Sequence, residues 1–192
     1  MNYLVAGLGN IGAEYALTRH NMGFMILDAW AQASNVVFSS RRYGALAEMP
    51  FKGHHIILLK PSTYMNLSGN AVRFWMNKEK IPLENLIVIS DDINLPFGTV
   101  RMRLRGSSGG HNGLENIEFC LDTQDYARIR VGIGNEFRQG GLIDHVLGPL
   151  SPEQLRDIPA ISERIAAGIK DFVTIGPERA MNSLNTRIKK DL

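Results

Sequence analysis

Five polar residues of this chain have the types and positions to carry acid–base chemistry at one site: Asn10, His20, Asn66, Asp91 and Asn112. Each lies in a loop that follows a predicted strand or opens a predicted helix, where side chains can converge on a cleft. A histidine titrates at about pH 6.5, and a carboxylate bonded to one ring nitrogen fixes its tautomer and stabilises the imidazolium form. His20 with Asp91 is therefore a candidate general base. The asparagines can hold a water or the amides and hydroxyls of a substrate, so the set suits ester hydrolysis by water.

A glycine-rich turn near the N-terminus offers a second interpretation. Residues 4–12, LVAGLGNIG, have the glycine spacing of a dinucleotide-binding loop after an apolar strand. Arg41 and Arg42 follow the next predicted strand and could hold the 2′-phosphate of NADP. The residues after this turn show no buried helical stripe, and the first helix is predicted to begin near Asn21 instead. An NADP-dependent oxidoreductase is therefore the weaker alternative.

A second glycine cluster could be read as the turn that carries a serine nucleophile. Residues 106–110, GSSGG, have the required Gly-x-Ser-x-Gly spacing, and Asp144 and His145 follow Ser108 in the expected order. The strand before this cluster carries arginine at alternate positions, however, which is unlike the buried strand that such a nucleophile needs. We favour a flexible loop whose backbone amides approach an anion.

Adjacent carboxylates at Asp91 and Asp92 raise the question of a metal site. Neighbouring residues of a strand point to opposite faces, so only one of the two can face a given site. No histidine stands two or four residues away to complete a ligand set. The sequence therefore predicts no metal.

Length and composition set the class of protein. The chain has 192 residues, a formal net charge of +2 and 44% hydrophobic residues, as expected for one soluble domain spanning residues 1–192. No apolar run approaches the roughly 20 residues that cross a bilayer, and no secretion signal is recognisable. Cys120 is the only cysteine, which excludes an internal disulfide. We expect a cytoplasmic protein without a membrane segment.

Predicted strands and helices alternate along the chain, which is typical of an α/β sheet covered by helices. Strands are predicted at residues 3–6, 36–38, 43–48, 54–59, 86–90, 99–105 and 127–133. Helices are predicted at residues 21–33 and 68–77. A capping box of Asn112 and Glu115 predicts another, and Ser151 with Gln154 caps a long one that ends at Gly176. A short last helix should direct Met181 and Leu184 inward.

Arginines are concentrated between residues 101 and 130, which contain five of them. In the strand at residues 99–105 the period is two, so Arg101, Arg103 and Arg105 share one face while apolar residues form the other. The guanidinium group presents a rigid fork of donors that suits phosphate. This patch indicates a phosphate-bearing partner.

Four ordered motifs resemble those of the bacterial peptidyl-tRNA hydrolase family. They are TRHNMGF at residues 18–24, PSTYMNLSG at 61–69, DDINLPFG at 91–98 and GSSGGHNG at 106–113. The segment GLGNIGAEY at residues 7–15 is similar as well, so the resemblance covers nearly the whole chain. It implies a single-domain fold with a mixed twisted β-sheet flanked by helices, and it accounts for both glycine clusters.

The resemblance also implies roles for particular residues. The catalytic residues that it implies are His20 as the base, Asp91 as the partner of that base, and Asn10. The substrate-binding residues that it implies are Asn66, Met65, Tyr64, Tyr15, Asn112 and His111. The tRNA phosphate-binding residues that it implies are Arg101, Arg103 and Arg130.

The implied reaction is hydrolysis of the ester between peptide and tRNA by a monomer, with peptidyl-tRNA as its partner and without cofactor, metal or membrane. Asn94 stands where an acid is frequent in the family and is left unassigned. The principal alternative is a non-catalytic tRNA- or RNA-binding protein on the same fold, because the arginine strand would serve either role.

Overall fold

The computed structural model of the protein describes residues 1–187, and its centre is a seven-stranded sheet. The strands are β1 Asn2–Gly7, β2 Ser39–Arg41, β3 Gly44–Phe51, β4 His54–Pro61, β5 Leu86–Asp92, β6 Val100–Arg103 and β7 Ala127–Gly132. The helices are α1 Met22–Ala33, α2 Ser68–Lys78, α3 Asn112–Leu121, α4 Leu142–Val146, α5 Pro152–Ile175 and α6 Pro177–Arg187. No helix within the described residues is long and apolar enough to cross a membrane.

The strands are ordered β2-β3-β4-β1-β5-β7-β6 across the sheet. β1 is parallel to β4 and β5, and β5 is parallel to β7, whereas β2, β3 and β6 join through antiparallel pairs. The predicted mixed α/β sheet is therefore confirmed. The parallel strands all end at one edge of the sheet, and the loops that leave this edge build the site.

Helices cover both faces of the sheet, so its central strands contain long apolar runs, such as residues 86–89 of β5. On one face α1, α5 and α6 pack against residues such as Val5 and Ile89. On the other face α2 and α3 pack against Leu4 and Val88. Because both faces are buried, the four central strands cannot shift in register without exposing apolar side chains.

Several predicted elements agree with the structure. The helices predicted at residues 21–33 and 68–77 correspond to α1 and α2. The Ser151 capping box is present: Ser151 Oγ accepts from Gln154 N at 3.1 Å, and Gln154 Oε1 accepts from Ser151 N at 3.0 Å. Leu184 is buried and Met181 packs against the core, as predicted.

Two local predictions are wrong. Residues 36–38 form no strand, because the chain is still leaving α1 there: Asn35 has φ 55° and Val36 N donates to Ala31 O at 3.0 Å. The strand comes later, as β2. The residue that caps α3 is His111 rather than Asn112, since the His111 ring accepts from the backbone N–H groups of the first turn.

The prediction of one domain over residues 1–192 stays a prediction, because residues 188–192 lie outside the described part of the chain.

Candidate active site

His20 and Asp91 meet at the carboxyl edge of the sheet, where β1 and β5 are neighbours. His20 lies in a 3-10 turn, Arg19–Asn21, directly before α1, and Asp91 is the penultimate residue of β5. The Nδ1 atom of His20 is 2.9 Å from Asp91 Oδ2 and 3.0 Å from Oδ1. Both residues are buried, with 9% and 4% of their surfaces exposed. The sequence prediction that these two form a pair therefore agrees with the geometry.

A second histidine bonds to the same carboxylate. His111 Nε2 lies 3.0 Å from Asp91 Oδ1, and the rings of His20 and His111 are 4.9 Å apart between centroids. The Nδ1 atom of His111 accepts from Gly113 N at 3.1 Å and from Leu114 N at 3.3 Å. An acceptor nitrogen carries no proton, so the ring proton of His111 must be on Nε2, where it is donated to Asp91. The helix cap thus fixes the tautomer of His111.

Electrostatics keep the carboxylate ionised. Burial raises the pKa of Asp91, but the charges of His111 and His20 and their hydrogen bonds together hold it well below its usual range. The partner histidine responds in the opposite direction. Burial lowers the pKa of His20, whereas the charge and hydrogen bond of Asp91 outweigh burial and raise it above its ordinary value. The carboxylate therefore makes His20 a stronger base than an isolated imidazole.

Asn10 is held by a pair of amide contacts. Its backbone N donates to Asn21 Oδ1 at 2.8 Å, and Asn21 Nδ2 donates back to Asn10 O at 2.9 Å. The Asn10 Oδ1 atom accepts from Met65 N at 2.8 Å. The Nδ2 group of Asn10 makes no hydrogen bond within residues 1–187, which leaves it available to a ligand. These bonds join the loop after β1 to the 3-10 turn Arg19–Asn21 and to the 3-10 turn Met65–Leu67.

A cavity of about 260 Å³ opens beside the pair of histidines. Its polar lining includes His20, Asp91, His111, Asn112 and Arg130. The apolar wall is formed by three residues of α4, which are Leu142, Ile143 and Val146. The cavity thus combines a base, hydrogen-bonding groups and a cation with an apolar side.

The glycine-rich loop contributes free backbone donors to this cavity. Gly109 and Gly110 line it with φ of 61° and 85°, a region that disfavours other residues. Their N–H groups donate to no protein acceptor within the described chain. Two unpaired amides beside a general base are suited to an anionic oxygen.

The other predicted substrate-binding residues are more peripheral. Met65 is buried, and its sulfur lies against Gly113. Asn66 and Tyr64 flank it on the surface, and Tyr15 ends a 3-10 turn. Within residues 1–187 no hydrogen bond joins these three side chains to the histidines, and none of them lines the 260 Å³ cavity. Their predicted roles stay predictions.

The three predicted phosphate-binding arginines share one face of the β6–β7 pair, with Arg101 directly opposite Arg130. Arg130 Nη1 contacts Asp92 Oδ2 at 3.0 Å, and Arg101 Nη1 donates to Asn185 O at 3.2 Å. Arg103 is exposed and has no such partner in the described chain. We call Arg101, Arg103 and Arg130 the arginine surface; only Arg130 reaches the cavity.

The structure gives both glycine patterns a role other than the alternatives raised above. A Cβ at Gly7 would fall on the Gly23 carbonyl, and one at Gly9 would meet the Phe24 ring at 2.7 Å. These glycines therefore let α1 approach β1. Ser108 lines the cavity, but no histidine bonds to its hydroxyl among residues 1–187, and His145 instead bonds to Gly134 O at 2.9 Å.

The carboxylates do not pair as metal ligands. Asp92 points away from Asp91 and bonds to Arg130 and to Asn94 N. The structure does bring His20, Asp91 and His111 together, with ligand atoms within 4.8 Å of one another. A metal on His111 Nε2 would leave that ring without a proton on either nitrogen, because Nδ1 accepts from the backbone. The donor set therefore fits a hydrogen-bonded network better than a metal.

Sequence reasoning missed two features of this site. It did not assign Asn21 a role, although Asn21 positions Asn10, and the only signal was its place beside His20. It gave His111 a substrate-binding role without foreseeing its bond to Asp91. That bond depends on α3 meeting the end of β5, which is not readable from local spacing.

A family profile, curated relatives and a solved structure that match nearly the whole chain share one description. The profile of the family described as peptidyl-tRNA hydrolase matches residues 4–191. Peptidyl-tRNA hydrolase of Cytophaga hutchinsonii is 54% identical over 187 residues, covering 97% of this chain and 100% of the relative. That of Phocaeicola vulgatus is 56% identical over 190 residues, with 97% and 100% covered. The crystal structure of peptidyl-tRNA hydrolase from Acinetobacter baumannii superposes with a TM-score of 0.88 at 31% identity, covering 95% of this chain and 94% of that one.

Proposed function

The chain belongs to the peptidyl-tRNA hydrolase family, and we propose from this premise that it hydrolyses the ester bond of peptidyl-tRNA with His20 as general base. One observation carries the residue assignment. His20 Nδ1 is bonded to a buried carboxylate, while its Nε2 atom makes no bond to the described protein and the ring lines the cavity. A histidine in this state can accept a proton from a water in the cavity.

The first step is attack of water on the ester carbonyl. His20 Nε2 takes one proton from the water, and the hydroxide oxygen bonds to the carbonyl carbon, which becomes tetrahedral with a negative oxygen. Asp91 stabilises the imidazolium that forms. Free donors stand beside this position: the amides of Gly109 and Gly110 and the side chain of Asn112. Assistance by a base contributes about 10²- to 10⁴-fold and donors to the oxyanion about 10²- to 10³-fold.

The second step returns the proton. The tetrahedral intermediate collapses, the bond to the ribose oxygen breaks, and the imidazolium of His20 protonates that oxygen. The products are a peptide with a free carboxylic acid and a tRNA with a free hydroxyl, so atoms and charge balance without a redox partner, and the acid then ionises by releasing its proton to solvent. Asn10 and Asn66 are proposed to hold the water and the peptide through their amides. Met65, Tyr64, Tyr15 and His111 complete the substrate-binding set.

The RNA part of the substrate must be held by cationic side chains, whereas the chemical step needs the general base. The arginine surface adjoins the cavity through Arg130, so a tRNA 3′ end in the cavity would lead its phosphates toward Arg103. Phosphate contacts of this kind release counterions, and affinity for tRNA should fall as salt rises. The two parts of the site thus divide the work between chemistry and attachment.

The proposed reaction needs one copy of the chain and no further component. The base, its carboxylate and the arginine surface all come from one chain, which supports action as a monomer. We propose that no cofactor or metal takes part, because every proton transfer above has a protein donor or acceptor. Its substrate forms during translation, which supports a cytoplasmic location.

The test is release of tRNA from an N-blocked aminoacyl-tRNA, with a chelator present. We expect hydrolysis by the unaltered protein and a loss of about 10²- to 10⁴-fold in kcat for His20→Ala. Filter binding of the uncharged tRNA should be nearly unchanged in this variant, because His20 takes no part in phosphate binding. His145→Ala serves as the matched control, since His145 lies outside the group formed by His20, Asp91 and His111, which we call the catalytic group.

Unchanged turnover in His20→Ala would reject the base assignment. Binding of tRNA without any hydrolysis by the unaltered protein would favour the non-catalytic RNA-binding alternative.

A further inference from the structure

A second polar surface lies on α2, away from the catalytic group. It surrounds a cavity of about 390 Å³ whose lining residues are Tyr43, Asn70, Arg73, Phe74 and Asn77. Four of them are spaced at i, i+3, i+4 and i+7 of α2, so they share one face of that helix. We call this cavity, together with Arg41 and Arg42 beside it, the Tyr43–Phe74 surface.

Two aromatic rings and a guanidinium group form the centre of this surface. Arg42 Cζ lies 5.0 Å from the centroid of the Tyr43 ring and 5.1 Å from that of Phe74. The two rings meet edge to face at 5.3 Å. The guanidinium group is therefore within cation–π range of both aromatic rings.

The backbone holds this centre in place. Trp75 Nε1 donates to Arg42 O at 2.7 Å, and Ser62 N donates to Tyr43 O at 2.7 Å. Tyr43 has φ 63°, a left-handed conformation that a large aromatic residue seldom adopts. The hydrogen bonds to the carbonyl groups of Arg42 and Tyr43 therefore stabilise a backbone conformation that an isolated turn would not keep. The stacking surface of Arg42, Tyr43 and Phe74 is formed before a ligand binds.

The positive charge here is not neutralised by the protein. Arg41, Arg42 and Arg73 are exposed, and none of them pairs with a carboxylate in residues 1–187. By contrast, Arg128 and Arg130 pair with Glu118 and Asp92. The guanidinium groups of the Tyr43–Phe74 surface are therefore available to an anion.

The surface lies at the same edge of the sheet as the catalytic group, on its opposite side from the arginine surface. Gly44, next to Tyr43, pairs with Pro61 at the end of β4, and α2 begins two residues after Asn66. In the strand order, β3 and β4 stand on one side of β1, whereas β7 and β6 stand beyond β5. Two cationic surfaces thus flank one site.

We propose that the Tyr43–Phe74 surface binds a nucleotide of an RNA strand. A nucleobase stacks on the exposed Tyr43 ring or on the Arg42 guanidinium group. The side-chain amides of Asn70 and Asn77 bond to the edge of that nucleobase, and Arg73 contacts a phosphate. An acidic protein would need only the charges, so the rings and amides favour a nucleotide. Nothing in this inference depends on His20 being the base.

The test is fluorescence anisotropy of a labelled six-nucleotide RNA with the full chain. The first variant is Arg42→Gln with Arg73→Gln, and the second is Tyr43→Asn, which removes the ring while asparagine tolerates the left-handed φ. We expect each variant to weaken binding roughly five- to a hundredfold. The salt slope should fall by about 0.7 in the arginine variant, for the one phosphate that Arg73 contacts. Arg156→Gln with Arg179→Gln, on α5 and α6, is the control of equal charge.

Equal RNA affinity in the unaltered protein and both variants overturns the proposal. Binding that is lost in the arginine variant, kept in Tyr43→Asn and displaced equally by polyglutamate also overturns it, because that pattern describes a general anion surface. If both variants weaken the oligonucleotide and raise KM for peptidyl-tRNA at constant kcat, the strand belongs to the substrate. If KM is unchanged, the surface takes a separate RNA. Hydrolysis by the unaltered protein reports on the proposed function independently.

Discussion

The group formed by His20, Asp91 and His111 is largely buried and joined by hydrogen bonds, whereas the arginine surface beside it is more exposed to solvent and lacks some protein partners. Asp91 is 4% exposed and has three hydrogen bonds from two imidazoles. Arg103 is exposed and makes no ion pair in the described chain. Arg130 stands between the two regions, since it lines the cavity and pairs with Asp92.

The difference follows from what each region has to do. A proton transfer needs one nitrogen with a defined tautomer and basicity, and a buried network specifies both because low polarity strengthens each contact. Attachment of a polyanion needs charge over an extended area, and exposed arginines supply it in nearly additive steps. Single substitutions should therefore have large effects in the first region and small, salt-dependent effects in the second.

The largest effect is expected for Asp91→Asn. The amide has no charge to hold the His20 tautomer or stabilise the imidazolium, so kcat should fall about 10²- to 10⁴-fold. The carboxylate raises the pKa of His20, and its removal should move the acidic limb of the kcat/KM profile to lower pH. A pH–rate series on N-blocked aminoacyl-tRNA measures both.

Asp92→Asn is the matched control, because Asp92 is the adjacent carboxylate but bonds to Arg130 rather than to a histidine. In Asp92→Asn the acidic limb of the kcat/KM profile should stay at the pH of the unaltered protein. Equal losses of kcat in Asp91→Asn and Asp92→Asn would mean that the buried carboxylate has no special role.

A smaller effect is expected for His111→Asn. Asparagine can cap α3 as His111 does, so the helix should be retained while the donor to Asp91 is lost or displaced. Asp91 then bonds to His20 alone, and the pKa of His20 should rise further. The acidic limb of kcat/KM should move to higher pH, and the plateau should fall roughly tenfold, the lower end of a hydrogen bond to a charged group.

This variant moves the limb in the direction opposite to Asp91→Asn, which a merely structural role for His111 would not do. His145→Asn should leave the profile unchanged, since within residues 1–187 the His145 ring hydrogen-bonds to backbone carbonyls alone. A profile of His111→Asn that coincides with that of the unaltered protein would remove His111 from the catalytic group.

The smallest effect is expected for Arg103→Gln. The loss of one phosphate contact should weaken tRNA binding roughly threefold and lower the salt slope by about 1, with kcat unchanged. Binding measured between low and moderate salt gives the slope, and Arg156→Gln on α5 removes the same charge elsewhere. Identical slopes in the two variants would show that the arginine surface does not touch the RNA backbone.

Much of this protein could be predicted from local pattern. The apolar strands, α1, α2 and the Ser151 cap depend on neighbours within a few residues, and they agree with the structure. The alternation of Arg101 and Arg103 with buried Val100 and Met102 likewise follows from the period of a strand. Errors arose at the ends of helices, where capping bonds and the turn that leaves a helix override the propensity of single residues. His111 caps α3 although asparagine is the commoner cap, and residues 36–38 are β-branched and aromatic yet form no strand.

The sequence by itself determined the elements and, through the order of its motifs, the family. Residue type made His20 with Asp91 a candidate base, and the motifs pointed to His20, Asp91 and Asn10 as the predicted catalytic residues. Only the tertiary structure decided that Asp91 is shared by two histidines and that Asn21 holds Asn10. It also brought Tyr43 against Phe74. These contacts join segments that are distant in the chain, and their geometry is fixed by how α1, α2 and α3 pack on the sheet.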